Sequence, residues 1–212
     1  MKDYQRYVKR RIIMNTIITI AREYGSGGRI IGQRLAEALG YEFFDRKLIE
    51  MAAEKMGFSE EYVKENEEVK NFSFISNFYS IPGELPVSDQ FFLAESNAIR
   101  EAAEKGNCVI VGRCADYVLK DHPGCLNIFI HAPIEDRARR VFEEYDEDAP
   151  NIQVHIQKVD KKRASYYNYM TQQKWGQAEN YDLCINSSLG IDLTVNMIRA
   201  AVEEFQKKIQ EE

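Results

Sequence analysis

The chain has 212 residues, 44% of them hydrophobic and 29% charged, a balance typical of a folded domain and far from that of a disordered chain. Its formal charge of −6 and pI near 5.3 argue against a general nucleic-acid or anionic-membrane surface, so any anion site has to be a local cluster of Arg and Lys. No apolar run reaches the roughly 20 residues that cross a bilayer. The opening MKDYQRYVKRRIIM is basic and lacks an apolar signal core, so a cytoplasmic protein with no membrane or nucleic-acid partner is expected.

Residues 1–13 read as a basic N-terminal extension ahead of Met14, either a short helix outside the core or a segment with no part in the chemistry. Residues 14–212 read as a single domain. The first β-prone run is TIITI (Thr16 to Ile20), followed by the glycine-rich REYGSGGRIIG and a helical pattern from Gly28 to Leu39 that Gly40 stops. Next come YEFF (Tyr41 to Phe44), a helix from Arg46 to Met56, a helical SEEYVKENEE with Ser59 as N-cap, and an aromatic, turn-rich segment from Asn71 to Pro86. That segment is either a cover over a pocket or a surface loop tucked in by its Phe side chains. A long helix is expected over Ser88 to Lys105, then CVIVG (Cys108 to Gly112), NIFIHA (Asn127 to Ala132), IEDRARRVFEEY, a helix reaching about Met170, DLCIN (Asp182 to Asn186) and a last helix from Leu189 to Ile209. Alternating strands and helices predict βα units and a mainly parallel sheet, with the most apolar runs covered on both faces.

The glycine loop carries the first chemistry. A complete phosphate loop reads G-x-x-x-x-G-K-[ST]: glycines let the backbone wrap phosphates, the lysine reaches the β and γ groups, and the hydroxyl binds Mg²⁺. With Gly27 as the second glycine, Arg22 stands at the first, Gly28 at the lysine and Arg29 at the hydroxyl, so the pattern fails at three places. What remains is a nest of Gly25, Ser26, Gly27 and Gly28 ahead of a helix N-terminus, able to hold the phosphates of a nucleotide. Arg29, one place past the missing lysine, is the candidate for the lost positive charge, although its planar fork binds in a different geometry. A strand-to-helix turn with no ligand is the alternative.

Several further segments extend the pattern: AREYGSGGRIIGQRLAEALGYEFFDRKLI, CVIVGRCADYVL, NIFIHAPIEDRARR and DKKRASYYNYMTQQKWGQAENYDLCINSS. Together they resemble the cytidylate kinase-like family, a divergent relative of bacterial cytidylate kinases. The resemblance implies a three-layer P-loop fold with a parallel five-stranded sheet, a helical monophosphate-binding insertion (about 45–105) and a lid (about 137–165). It implies transfer of the γ-phosphoryl group of ATP to CMP or dCMP with Mg²⁺. Gly25 to Arg29 would hold the ATP phosphates, and Asp45, Arg46, Gly112 and Arg113 would face the monophosphate. The acids that flank the Gly-Arg pair in cytidylate kinases are replaced here by Val111 and Cys114, with Asp116 a substitute only if its helix turns it inward.

Arg137, Arg139 and Arg140 resemble the start of the lid, and Asp160 with Arg163 its return. Phosphoryl transfer depends on positive charge placed around the migrating group, which singles out Arg137, Arg140 and Arg163. Arg137 and Arg140 are three apart and share a helical face, whereas Arg139 points elsewhere. The competing reading is a solvated face paired with Glu135, Asp136, Glu143 and Glu144. No protein metal ligand set is expected, and Cys108, Cys114, Cys125 and Cys184 read as reduced, packed thiols. His122, His131 and His155 carry no assignment, and the aromatic SYYNYMTQQKWG reads either as core or as adenine surroundings. Two other functions stay open: a nucleotide-binding regulatory module without catalysis, favoured by the absent lysine, and a P-loop kinase of another small acceptor with Asp45 as base.

Overall fold

The computed structural model describes residues 15–45, 47–55, 86–145 and 150–211. Five strands form one parallel sheet: β1 (Ile17–Arg22), β2 (Glu42–Phe44), β3 (Cys108–Val111), β4 (Cys125–His131) and β5 (Leu183–Asn186), in the spatial order β2-β3-β1-β4-β5. The helices are α1 (Gly28–Leu39), α2 (Lys47–Lys55), α3 (Val87–Lys105), α4 (Ala115–Val118), α5 (Ile134–Glu144), α6 (Ile152–Thr171) and α7 (Ile191–Glu211). All five expected strands are present and parallel, and α1 has the bounds read from its pattern. The helix expected over SEEYVKENEE, Arg46, residues 1–13 and nearly all of the Asn71 to Pro86 segment lie outside the described residues.

β1 shows why the runs are apolar without alternation. Ile18 and Ile20 pack on one face with Val109, Val111, Ile128 and Ile130 under α1 and α7, while Ile17 faces the other side with Ile110, Phe44, Leu48 and Ile99. Strand side chains alternate between faces, so a strand covered on both sides is apolar at nearly every position, and the one buried polar side chain of β1 between its isoleucines, Thr19, donates its hydroxyl to Asn127 Oδ1 at 2.6 Å. Each of these isoleucines is fully buried and contributes about 2 kcal/mol of transfer free energy. Three layers result: α1 and α7, the sheet, and α2 to α4.

The strand order also places the site. β1 lies between β3 and β4, and the chain crosses over it between those two strands. In open parallel sheets ligands bind beyond the carboxyl ends of the strands at such a reversal. The segments after β1, β3 and β4 meet there, with Ile20 beside Val111 and Arg22 beside Ile130.

Candidate active site

The glycine loop leaves β1 at Arg22 and is seated from several directions. Ser26 Oγ donates to the Glu23 carbonyl at 2.8 Å, closing the turn, and Ser187 Oγ donates to the Ser26 carbonyl at 2.6 Å. Gly25 and Gly27 take left-handed φ values of 79° and 80°, and Gly28 starts α1. The Tyr24 amide donates to Asp160 Oδ1 at 2.7 Å, which ties the loop to α6.

Three arginines brace its carbonyls. Arg163 Nη1 donates to the Arg22 carbonyl at 3.1 Å, Arg137 Nη1 to that of Tyr24 at 3.3 Å, and Arg140 Nη1 to that of Gly25 at 2.7 Å. In a trans peptide the N–H lies opposite the C=O, so the bonds to Tyr24 and Ser26 turn the Gly25 and Gly27 amides away from their braces. The loop therefore presents amides on one side and is held by guanidinium and hydroxyl groups on the other.

Arg137 and Arg140 are 7% and 9% exposed, which rules out the solvated-face reading for this pair. Arg137 is bound to Asp160 at 2.5 Å and lies 3.6 Å from Glu23, so its carboxylate partners come from α6 and the loop and not from its own helix. Arg140 does keep one helix neighbour, Glu144 at 3.7 Å. Arg139 points outward, 63% exposed, and pairs with Asp136.

On the strand side two more cations, Arg113 and Arg22, converge with Arg163. Arg113 is 3.3 Å from Glu95, a carboxylate from α3 that is 1% exposed. Burial raises the Glu95 carboxyl above the usual carboxylate range, against the pull of Arg113 and the Tyr166 hydroxyl. The guanidinium of Arg22 is pulled down to about 9, chiefly by burial and next by Arg163, with Asp45 acting against them and Arg113 with them. Burial likewise lowers Arg163, whose guanidinium stacks 5.3 Å from the centre of the Tyr24 ring. Tyr145 faces the same space: burial raises its phenol, and Arg140, Arg163 and the Gly27 amide pull it back.

The backbone after β3 is strained. Gly112, Arg113 and Cys114 have φ values of 79°, 60° and 53°, three successive left-handed residues, two of which carry side chains. Such conformations cost on the order of 1 kcal/mol each outside glycine and concentrate where a side chain must be aimed. Here the bend sets Arg113 against Glu95 and starts α4 at Ala115.

The remaining candidates are placed as follows. Arg29 is 57% exposed and bonds Asp45 at 2.6 Å, so the two stand together at the end of β2. Asp116 is turned inward and 6% exposed, accepting from the Tyr167 hydroxyl at 2.7 Å; burial raises its carboxyl, with Tyr167 opposing. Among the described residues no group of three or more His, Cys, Asp or Glu is arranged to hold a metal ion. Cys108, Cys114 and Cys125 are free and buried, and Cys184 is free and exposed. Burial pushes the Cys108 thiol up to about 12. From the aromatic SYYNYMTQQKWG, Tyr167 is buried and Trp175 packs edge-on against Phe129, with ring centres 5.5 Å apart. No described helix is long and apolar enough to cross a membrane.

Residues 17–189 match the cytidylate kinase-like family. The chain belongs to that family. A cytidylate kinase from Methanopyrus kandleri is 27% identical over 205 residues, covering 92% of this chain and 97% of that protein. An uncharacterized protein from Eubacterium ventriosum superposes with a TM-score of 0.67 at 28% identity, covering 89% of this chain and 98% of that one. A gluconokinase from Sinorhizobium meliloti (TM-score 0.57, 16% identity, 92% and 96% covered) and a shikimate kinase from Acinetobacter baumannii in complex with shikimate (0.52, 18%, 90% and 94%) share the fold. The three-layer P-loop kinase fold is thereby shown for this member of the family.

Sequence reasoning passed over Arg22, Glu95 and Tyr145. Arg22 was in view only as a missing glycine. Its signal was an arginine at the mouth of a parallel strand, where a buried cation needs a reason.

Proposed function

We propose that the protein transfers the γ-phosphoryl group of ATP to a nucleoside monophosphate, with CMP or dCMP the acceptor. Family membership and likeness to a cytidylate kinase over nearly the whole chain support this reading, and the observation that carries it is the braced loop. Three arginines hold its carbonyls, and the Gly25 and Gly27 amides face away from Arg137 and Ser187, at the head of a twelve-residue helix, beside further cations at the strand ends. Such a nest fits a polyphosphate and is costly to keep around nothing.

The chemistry needs no covalent intermediate and no general base. A monophosphate oxygen attacks the γ-phosphorus, that bond forms as the bond to the bridging oxygen breaks, and ADP carries the electron pair away. Gly25 to Arg29 hold the ATP phosphates in this proposal, and Arg163 with Asp160 links them to the returning lid. Arg137 and Arg140 fix the loop. Asp45, Arg46, Gly112 and Arg113 are assigned to the monophosphate, between an insertion over about 45–105 and a lid over about 137–165. Mg²⁺ neutralises phosphate charge in such transfers, and with no multidentate protein site among the described residues it would be carried on the nucleotide. Free thiols fit a reducing compartment, and a cytoplasmic role in pyrimidine metabolism follows from the acceptor.

The test is ADP formation from ATP and Mg²⁺ with CMP, dCMP, UMP, AMP, a panel of hydroxyl acceptors and no acceptor. Formation that depends on a cytidine monophosphate is expected. Transfer only to a hydroxyl acceptor, lost in Asp45→Asn, replaces this reading with a small-metabolite kinase. Nucleotide binding without transfer to anything replaces it with a regulatory module.

A further inference from the structure

The lysine position of a complete phosphate loop is Gly28, and the space for a side chain there is filled. A Cβ built on Gly28 falls 2.6 Å from Cβ of Arg22 and 3.0 Å from its Cγ. At its far end, a Cβ on Gly112 would fall 2.0 Å from Arg22 Nη1. The Arg22 side chain therefore crosses the root of α1, and its guanidinium ends against the backbone after β3. Two glycines distant in sequence make its room, and neither tolerates even a methyl group while Arg22 keeps this path.

Arg22 itself stands where a complete loop has its first glycine. The two departures are then one exchange: an arginine has replaced the glycine on the strand side, and a glycine has replaced the lysine on the helix side. Positive charge is kept and its point of attachment has moved six residues back along the chain, with the guanidinium still beside the loop.

We propose that Arg22 performs the phosphate-binding role of the missing lysine, gripping the terminal phosphates of the bound nucleotide from the strand side of the loop. This rests on the kinase reading for the identity of the ligand. Three observations support it. Arg22 makes no ion pair among the described residues, whereas Arg29 is mostly exposed and closed onto Asp45 at 2.6 Å. Arg163 and Arg113 both press on the Arg22 charge, with Asp45 and Tyr145 acting against them, so positive charge gathers at this end of the site. The residue as a whole is half-buried, at the mouth of the strand and not sealed in the core.

The test uses the full chain with tripolyphosphate and, separately, ATP as calorimetric probes, together with thermal unfolding. Arg22→Met should weaken tripolyphosphate binding about tenfold or more, as loss of a charge-assisted fork does, while Tm stays level or rises because no ion pair is broken. Arg22→Lys, which retains charge, should recover part of the affinity and serves if the methionine variant folds poorly. Gly28→Lys alone should lose both affinity and stability through collision with Arg22. The double variant R22G/G28K should bind more tightly than either single variant, a coupling that independent sites do not show. Unchanged affinity in both Arg22→Met and Arg22→Lys overturns the proposal, as does strict additivity in the double variant or loss of binding in Arg29→Ala alone. If Arg22 governs polyphosphate binding but no acceptor is phosphorylated, the proposal stands and the kinase reading falls. Transfer with undiminished ATP affinity in Arg22→Met leaves the kinase and removes Arg22 from the role. Absence of polyphosphate binding by the unaltered protein overturns both.

Discussion

The two sides of the glycine loop carry the same residue type in opposite condition. On the helix side Arg137 and Arg140 are buried and bonded to loop carbonyls, with carboxylates close by. On the strand side Arg22 lies in a groove between two glycines with no ion-pair partner among the described residues. A guanidinium has five donors, and its role follows from how many of them the fold already occupies. The helix-side pair positions the loop, and the strand-side arginine is left for an anion. The buried Nε groups of Arg137 and Arg140 lack hydrogen-bond partners, so these side chains retain donor capacity even as braces.

The sharpest way to break this contrast is Arg137→Ala. It leaves Asp160, 14% exposed, without its guanidinium and frees the Tyr24 carbonyl, so a loss of about 4 kcal/mol in chemical denaturation is expected. A loss under about 1 kcal/mol would show that Arg137 is not a brace. Arg140→Ala comes next, at about 2 kcal/mol, because one charged donor to the Gly25 carbonyl is removed and Glu144 has solvent to turn to. Phosphate affinity should fall with it as the loop loosens, and an Arg140 variant that loses affinity with no change in stability would move it from brace to ligand.

Asp116 gives a smaller effect that depends on pH. Burial raises its folded-state carboxyl, so its stabilising contribution is complete below the unfolded value and is lost as pH rises through the folded one. Asp116→Asn keeps an acceptor for the Tyr167 hydroxyl and has no charge to desolvate. Its Tm should exceed that of the unaltered protein at neutral pH, and the gap should close on acidification. A gap that widens in acid would reverse the assignment. The smallest effect is expected for Arg139→Ala, within about 0.5 kcal/mol, since Arg139 is 63% exposed and bonded only to a neighbour on its own helix.

Much of the fold was legible because it rests on local pattern. TIITI, CVIVG and NIFIHA are nearly continuous in apolar residues between turn signals, as strands covered on both faces are, and each is a central strand of the sheet. Gly28 to Leu39 carried its period and its stop signal within twelve residues, and α1 has those limits. The facing of Arg137 and Arg140 away from Arg139 likewise follows from helical spacing. Their partners could not be read this way, because Asp160 and the loop carbonyls are brought up by different elements.

By itself the sequence determined the βα alternation, the parallel sheet, the glycine nest ahead of α1 and the membership of the chain in its family, since each rests on residues adjacent in the chain or on their order. Only the tertiary structure decided which arginine faces the nest unpaired. That depends on Gly112, 90 residues after Arg22, and on Arg163, 141 residues after it, both brought to β1 by the strand order. Burial and pairing arise from packing across the fold, and a linear pattern that records the charge does not record what remains to meet it.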